Sequence, residues 1–275
     1  MKYEVITEGE TKLTVPLSGT PSSRDEVFYN PHMRLARDIT VLFAKTVEPE
    51  GFCDLMAASG ARGLRVAREA GVDDVWLNDA NPHAVELIRE NAQINGLRVE
   101  VSNLKHDALL SKRRFGYIDL DPFGPPVEYI DSVIQAARNN GYVGVAATDT
   151  SALCGSYPKA CQRKYGSISL RTDYYDEAGL RTLLGFLARS ALRHGYGASF
   201  PFSHSSRHYM RAYMRLESKG RMVRETLKSV KYLQHCFSCL YRGYVSLEEV
   251  GRRCPNCGEK TRTMGPLWSG NTGEP

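Results

Sequence analysis

From Phe52 to Thr150 the sequence alternates between two periodicities, and this alternation limits the fold more than any other feature of the chain. Short apolar runs ("FCDLMAAS", "DVWLND", "LRVEVSN", "FGYIDLD" and "YVGVAATDT") are separated by amphipathic ones such as "ARGLRVAREAG" and "NPHAVELIRENAQING". Apolar runs of roughly 4–8 residues bounded by turn formers read as buried strands, and amphipathic runs of about 10–15 residues as the helices that cover them. Strict alternation of the two predicts an α/β fold with a doubly wound, mostly parallel sheet and right-handed crossovers. The helix over "NPHAVELIRENAQING" carries its own punctuation: Asn81 as N-cap, Pro82 at the first helical position and Gly96 at the stop. Further helices are predicted from about Met33 to Ala44 and from Val127 to Asn140.

Beyond the alternation, "EAGLRTLLGFLARSALRHG" predicts a long amphipathic helix, and "YGASFPFSHSS" with "HYMRAYMRLES" a terminal, antiparallel strand pair. A cysteine module follows, from about Tyr232 to Met264. The expected organisation is an N-terminal segment over 1–50, a main domain over 51–230 and a small module over 231–275. No apolar run approaches the roughly 18–20 residues that span a bilayer, so no membrane partner is expected. The start, "MKYEVITEGE", lacks the basic and apolar regions of a signal peptide, which predicts a cytoplasmic protein.

Charge is unevenly distributed. From Phe186 onward there are 15 Lys/Arg against 6 Asp/Glu, a net +9, whereas residues 1–185 carry 21 against 25, a net −4. A basic final third on a mildly acidic body points to a polyanionic partner, nucleic acid above all.

The seven cysteines divide in the same way. Cys236, Cys239, Cys254 and Cys257 form C-x2-C-x14-C-x2-C, in which each knuckle delivers two thiolates to one tetrahedral zinc. Four thiolates leave no open position, so the expected zinc is structural and rigidifies a small basic, aromatic surface with Tyr241, Arg242, Arg252 and Arg253. Cys53, Cys154 and Cys161 are scattered and read as buried small hydrophobes.

Ligands of doubly wound sheets bind beyond the carboxyl ends of the strands. The first such end, "DLMAASGARGLR", offers the small residues Ala58, Ser59 and Gly60, with Arg62 opening the next helix. It has neither G-x-G-x-x-G nor a Walker lysine, which disfavours pyrophosphate or triphosphate. Asp79 ends the next strand about 20 residues on, where a carboxylate accepts from both ribose hydroxyls. Asp107 of "KHDALL" follows the third, where an acid and the next backbone N–H can meet an adenine edge. Small turns and solvated acids are common singly. Their ordered recurrence is what an S-adenosylmethionine site requires.

A fourth strand ends in "YIDLDPFGPP", placing an acid, a proline and an aromatic in succession. The exocyclic amine of a nucleobase is a poor nucleophile because its lone pair is delocalised into the ring. Asp121 and a backbone carbonyl can both accept its N–H groups, orienting the lone pair and stabilising the charge that forms. Pro122 fixes the carbonyl's direction, and Phe123 can stack on the base. Asp119, two residues earlier, is given no role.

Together "VFYNPHMRLARDITV", "DLMAASGARGLR", "WLNDANP", "HDA", "IDLDPFG" and "HCFSC…CPNCG…GPLWSG" resemble, nearly end to end, the tRNA guanine-N2 dimethyltransferases acting at position 26. The resemblance implies a class I methyltransferase fold that uses S-adenosylmethionine to place two methyl groups on the guanine amine of tRNA. It implies Arg37, Arg62, Asp79, Asp107 and Ala108 at the cofactor. Asp121, Pro122 and Phe123 would hold the guanine amine, with Phe28 of "FYNP" helping to wall the base pocket. Two departures stand out: Ala36 occupies the place of the family's usual Asn, and family members continue past "GPLW" into a further C-terminal domain. A short or C-terminally truncated member, with a monomer favoured, is therefore expected. The competing readings are an amino-methyltransferase acting on another RNA or on DNA, and a non-catalytic tRNA-binding adaptor.

Overall fold

The computed structural model describes residues 3–17 and 25–273, in two compact units. The first comprises residues up to Phe123 together with Gln135–Gly144. It opens with an antiparallel hairpin of β1 (Tyr3–Glu8) and β2 (Thr11–Pro16), followed by α1 (Arg34–Val47). The predicted alternation then appears as β3 (Phe52–Asp54), α2 (Ala61–Glu69), β4 (Val75–Asn78), α3 (Pro82–Ile94), β5 (Glu100–Ser102), α4 (His106–Leu110) and β6 (Phe115–Leu120). The strand order is β5-β4-β3-β6, and the pairs β4–β5, β3–β4 and β3–β6 are parallel. The chain steps outward from β3 to β4 and β5, then returns to the other side of β3 with β6. The topological switch point therefore lies between β3 and β6, where Asp54 is in register with Asp119.

Local chemistry explains the elements. Asn81 caps α3 by accepting from His83 N–H at 3.0 Å, with Pro82 in the first turn, as predicted. Phe52, Leu77, Phe115 and Tyr117 are fully or almost fully buried, so these short strands are covered on both faces. Gly63 allows α2 to lie on the sheet, because a Cβ there would stand 2.7 Å from Leu77 Cδ2. The hairpin is tied to α3 by Asn91, which accepts from Thr14 N–H at 2.7 Å and donates to the Thr14 and Ser59 carbonyls at 3.0 Å each.

One expectation needs correction. The predicted helix over Val127–Asn140 is shorter: α5 spans Ile130–Ala136 and β7 begins at once, over Ala137–Ala147. The junction falls between the buried Ala136 and Ala137, and the polar Arg138, Asn139 and Asn140 that follow give no periodic signal of a strand.

The second unit comprises Gly124–Ile134 and the chain from Val145. It contains α6 (Thr150–Leu153), α7 (Pro158–Tyr165) and the long α8 (Tyr175–Arg193). The antiparallel β8 (Gly197–Ser206) and β9 (Tyr209–Glu217) follow, as predicted, and then α9 (Gly220–Ser229). The cysteine module is built on β10 (Val230–His235), flanked antiparallel by β11 (Arg242–Val245) and β12 (Arg262–Trp268). Leu233, Met264 and Leu267 pack with Ala178 of α8. Among the described residues, no helix is long and apolar enough to cross a membrane.

Candidate active site and metal centre

The strand ends of the first unit carry the residues singled out from the sequence. After β3 the chain turns through Leu55–Gly60, with Ala57 N–H on the Asn78 carbonyl at 2.8 Å and Gly60 N–H on the Ala57 carbonyl at 2.7 Å. Ala58 and Gly60 have positive φ, +49° and +78°, which small residues tolerate best. Asp79, just beyond β4, holds this loop: Oδ2 accepts from Ala58 N–H at 2.8 Å and Oδ1 from Asn81 N–H at 2.9 Å. Asp107 and Ala108 lie in α4. Asp107 is largely exposed and pairs with His106 at 2.9 Å, and Ala108 N–H donates to the Lys105 carbonyl at 3.0 Å. That N–H, expected from the sequence to face a ligand, serves the helix's first turn here.

At the switch point Arg62 gathers acids. Its Nη2 donates to Asp121 Oδ2, its Nε lies 3.2 Å from Asp119 Oδ1, and its Nη1 donates to Thr40 Oγ1 at 2.8 Å. Arg62 is thus joined directly to Asp121. Asp54, opposite Asp119, accepts from Gly63 N–H at 3.0 Å. Burial, reinforced by the Asp119 charge and opposed by Arg62, pushes the Asp54 carboxyl up to about 7. Pro122 is buried, while Phe123 is 59% exposed and meets Phe28 edge-on, with ring centroids 4.8 Å apart. The two phenylalanines predicted for one base pocket therefore touch, although 95 residues of chain separate them.

Arg37 is buried, and its Nε and Nη2 fork onto Glu8 at 2.6 and 2.7 Å. Nη1 and Nη2 also donate to the Asn30 carbonyl at 3.1 and 3.2 Å, and Tyr29 Oη donates to Glu8 at 2.8 Å. Arg37 and Glu8 thereby fasten the "FYNP" segment that carries Phe28. Burial by itself would raise the Glu8 carboxyl. Arg37, with help from Tyr29 and Arg65, outweighs it and holds Glu8 down at about 2. Sequence reasoning missed Glu8, since an acid in "TEGE" reads as a solvated turn residue. It also missed Thr148. Within the second unit Thr148 Oγ1 accepts from Gly124 N–H at 2.7 Å, and Thr148 N–H donates to the Gly124 carbonyl at 3.1 Å. Gly124 follows Phe123 in the chain.

The second unit holds the cysteine cluster. Ligand atoms of Cys236, Cys239, Cys254 and Cys257 all lie within 4.8 Å of one another, with Cys236–Cys257 at 3.6 Å and Cys239–Cys254 at 3.5 Å. Tetrahedral zinc with Zn–S of about 2.3 Å separates its sulfurs by roughly 3.8 Å, so four thiols so arranged fit such an ion. Each knuckle is closed by backbone: Leu240 N–H on the Cys236 carbonyl at 2.9 Å, Gly258 N–H on the Cys254 carbonyl at 2.9 Å. Cys53, Cys154 and Cys161 are buried, and burial raises all three thiols, Cys154 to about 11. They are packing residues, as expected.

Comparison with known proteins bears on this geometry. A family model described as N2,N2-dimethylguanosine tRNA methyltransferase matches residues 6–274. The tRNA (guanine(26)-N(2))-dimethyltransferase of Methanopyrus kandleri is 41% identical, over 98% of this chain and 71% of its own. That of Methanothermobacter thermautotrophicus is 42% identical, over 97% and 72%. Trm1 from Pyrococcus horikoshii, solved with S-adenosyl-L-methionine, has a TM-score of 0.87 at 31% identity and covers 98% of this chain and 74% of that one. Trm5b from Pyrococcus abyssi shares the fold alone, with a TM-score of 0.56 at 14% identity over 78% of this chain and 56% of its own.

Proposed function

The chain belongs to the N2,N2-dimethylguanosine tRNA methyltransferases, and from that membership we infer that it methylates the exocyclic N2 amine of guanine 26 in tRNA, with S-adenosylmethionine as donor. The observation that carries the chemical assignment is Asp121, which follows β6 at the switch point two residues before Phe123, whose ring meets Phe28. Bound S-adenosylmethionine supplies an electrophilic methyl group. The Asp121 carboxylate and the Pro122 carbonyl would accept the two amine N–H groups and hold the lone pair toward that methyl; as the N–C bond forms and the donor's S–C bond breaks, S-adenosylhomocysteine would leave and Asp121 would take the surplus proton from nitrogen. Arg62 keeps Asp121 in place. Phe123 and Phe28 grip the base, and the exposure of Phe123 leaves a ring face for stacking.

On the cofactor side, Asp79 offers acceptors for ribose, and Arg37, Arg62, Asp107 and Ala108 complete the assignment. One structural zinc is assigned to Cys236, Cys239, Cys254 and Cys257, whose sulfur spacing supports it. Incubation with labelled S-adenosylmethionine and unmodified tRNA, followed by digestion to nucleosides, tests the reading. Label in N2-methyl- and N2,N2-dimethylguanosine is expected, and label in any other nucleoside would overturn the target assignment.

A further inference from the structure

We propose that Asp119 is a positioning residue for Asp121: its charge, in ion-pair contact with Nε of the Arg62 guanidinium, keeps Arg62 from closing a two-pronged fork on the Asp121 carboxylate. The inference rests on Asp121 being the amine acceptor.

Asp119 lies in the last pleat of β6, and Asp121 follows the strand's end at Leu120. Arg62, in the first turn of α2, meets both. Nε and Nη2 form the edge with which a guanidinium usually forks both oxygens of one carboxylate. Here the two nitrogens face different acids: Nε lies 3.2 Å from Asp119 Oδ1, an ion-pair contact without hydrogen-bond alignment, and Nη2 donates to Asp121 Oδ2. Were the edge undivided, both Asp121 oxygens would serve Arg62, and a carboxylate so occupied is a poorer acceptor for an amine. Nη1 is fixed separately by Thr40 Oγ1 at 2.8 Å and the Ala36 carbonyl at 3.5 Å, so the guanidinium plane keeps its place.

Asp119 is fully buried and in register with Asp54, whose own carboxyl is pushed up by burial and by Asp119. Its charge is offset by the contact with Arg62, and removing Asp119 alone leaves Arg62 to Asp121.

The test uses the full chain with unmodified tRNA and saturating S-adenosylmethionine, and measures cofactor affinity separately by calorimetry. Asp119→Leu is expected to lower kcat roughly ten- to hundredfold while cofactor affinity stays within about threefold, because Thr40 and the Ala36 carbonyl still hold Arg62. Asp119→Asn is expected to be impaired to a similar degree, since its amide has the same shape but carries no charge to hold Nε. If Asp119→Leu does not fold, Asp119→Ala against Asp119→Asn makes the same comparison. Wild-type turnover in the Leu or Ala variant overturns the proposal. So does an Asn variant with near wild-type turnover, which would leave the Asp119 charge no part in holding Nε, or a loss of cofactor affinity in step with rate. Asp121→Ala runs as a control. If it is active, the amine-acceptor reading itself falls, whereas an inactive Asp121→Ala beside an active Asp119→Leu removes only the present inference.

Discussion

In the first unit Glu8, Asp54, Asp119, Arg37, Arg62 and Arg65 are all buried. In the cysteine module Arg242, Arg252 and Arg253 are exposed, and the interior contribution comes from Cys236, Cys254 and the few apolar residues of β10 and β12. The first region can bury charge because a parallel sheet clothed by helices supplies the apolar surroundings and the partners needed to compensate it. The module has too little surface to bury for that, and a cluster of four thiols spaced to fit one ion stands where such a core would be. The two regions should therefore fail differently: one by losing a single charge from a network, the other all at once when its metal is removed.

The largest effect is expected at Asp121. Asp121→Ala should lower methyl transfer by roughly 10²–10³-fold while S-adenosylmethionine still binds, since the carboxylate acts on the amine as the bond forms. Asp121→Asn should be nearly as damaging, because an amide presents one acceptor and two donors to a group that needs acceptors. Single-turnover rates beside calorimetric affinities check both, and a near wild-type rate would reduce this strand end to a turn.

Chelation should strike only the module. One zinc per chain is expected, and its removal should expose to hydrogen exchange the Leu240 and Gly258 amides that close the two knuckles. Amides of β3 and β6 should stay protected. Equal loss of protection in both regions would contradict the contrast drawn above.

Asp79→Ala should weaken S-adenosylmethionine binding by roughly 1.5–3 kcal/mol without unfolding the chain. Unchanged affinity would mean that Asp79 serves only the Ala58 and Asn81 amides it holds here. Phe123→Ala should cost about 1–3 kcal/mol in apparent tRNA binding through lost stacking, and Phe123→Tyr should retain most of it.

The sign of the pH dependence of stability tells the buried acids apart. Glu8 stands at about 2 in the folded chain against an ordinary 4.5, so its contribution is present above 4.5 and is lost as pH falls toward 2. Asp54 stands at about 7 against an ordinary 3.8, so its contribution is present below 3.8 and is lost as pH rises toward 7. Thermal melts of Glu8→Gln should lose part of the acid slope below pH 4.5. Melts of Asp54→Asn should lose part of the decline between pH 4 and 7. The reverse pattern would show that these environments are misassigned.

The β1–β2 hairpin and α4 were not legible in the sequence, whereas the alternation of β3, α2, β4, α3, β5 and β6, the cap of α3, the antiparallel β8–β9 pair and the four-cysteine cluster were. Each depends on neighbours along the chain: the period of apolar residues, a cap and its helix, two thiols per knuckle. The places of the strand-end acids follow from the same alternation: Asp79 comes after β4, Asp107 lies in α4 after β5, and Asp121 comes after β6. What the sequence could not settle was the pairing of charges far apart in the chain. That Arg37 meets Glu8, that Arg62 is shared by Asp119 and Asp121, and that Phe28 meets Phe123 depend on contacts between residues 29, 57, 59 and 95 positions apart. An isolated acid or arginine looks the same in sequence whether solvated or buried. Only the packed structure, by excluding water and bringing its partner within about 3 Å, decides that it belongs to a site.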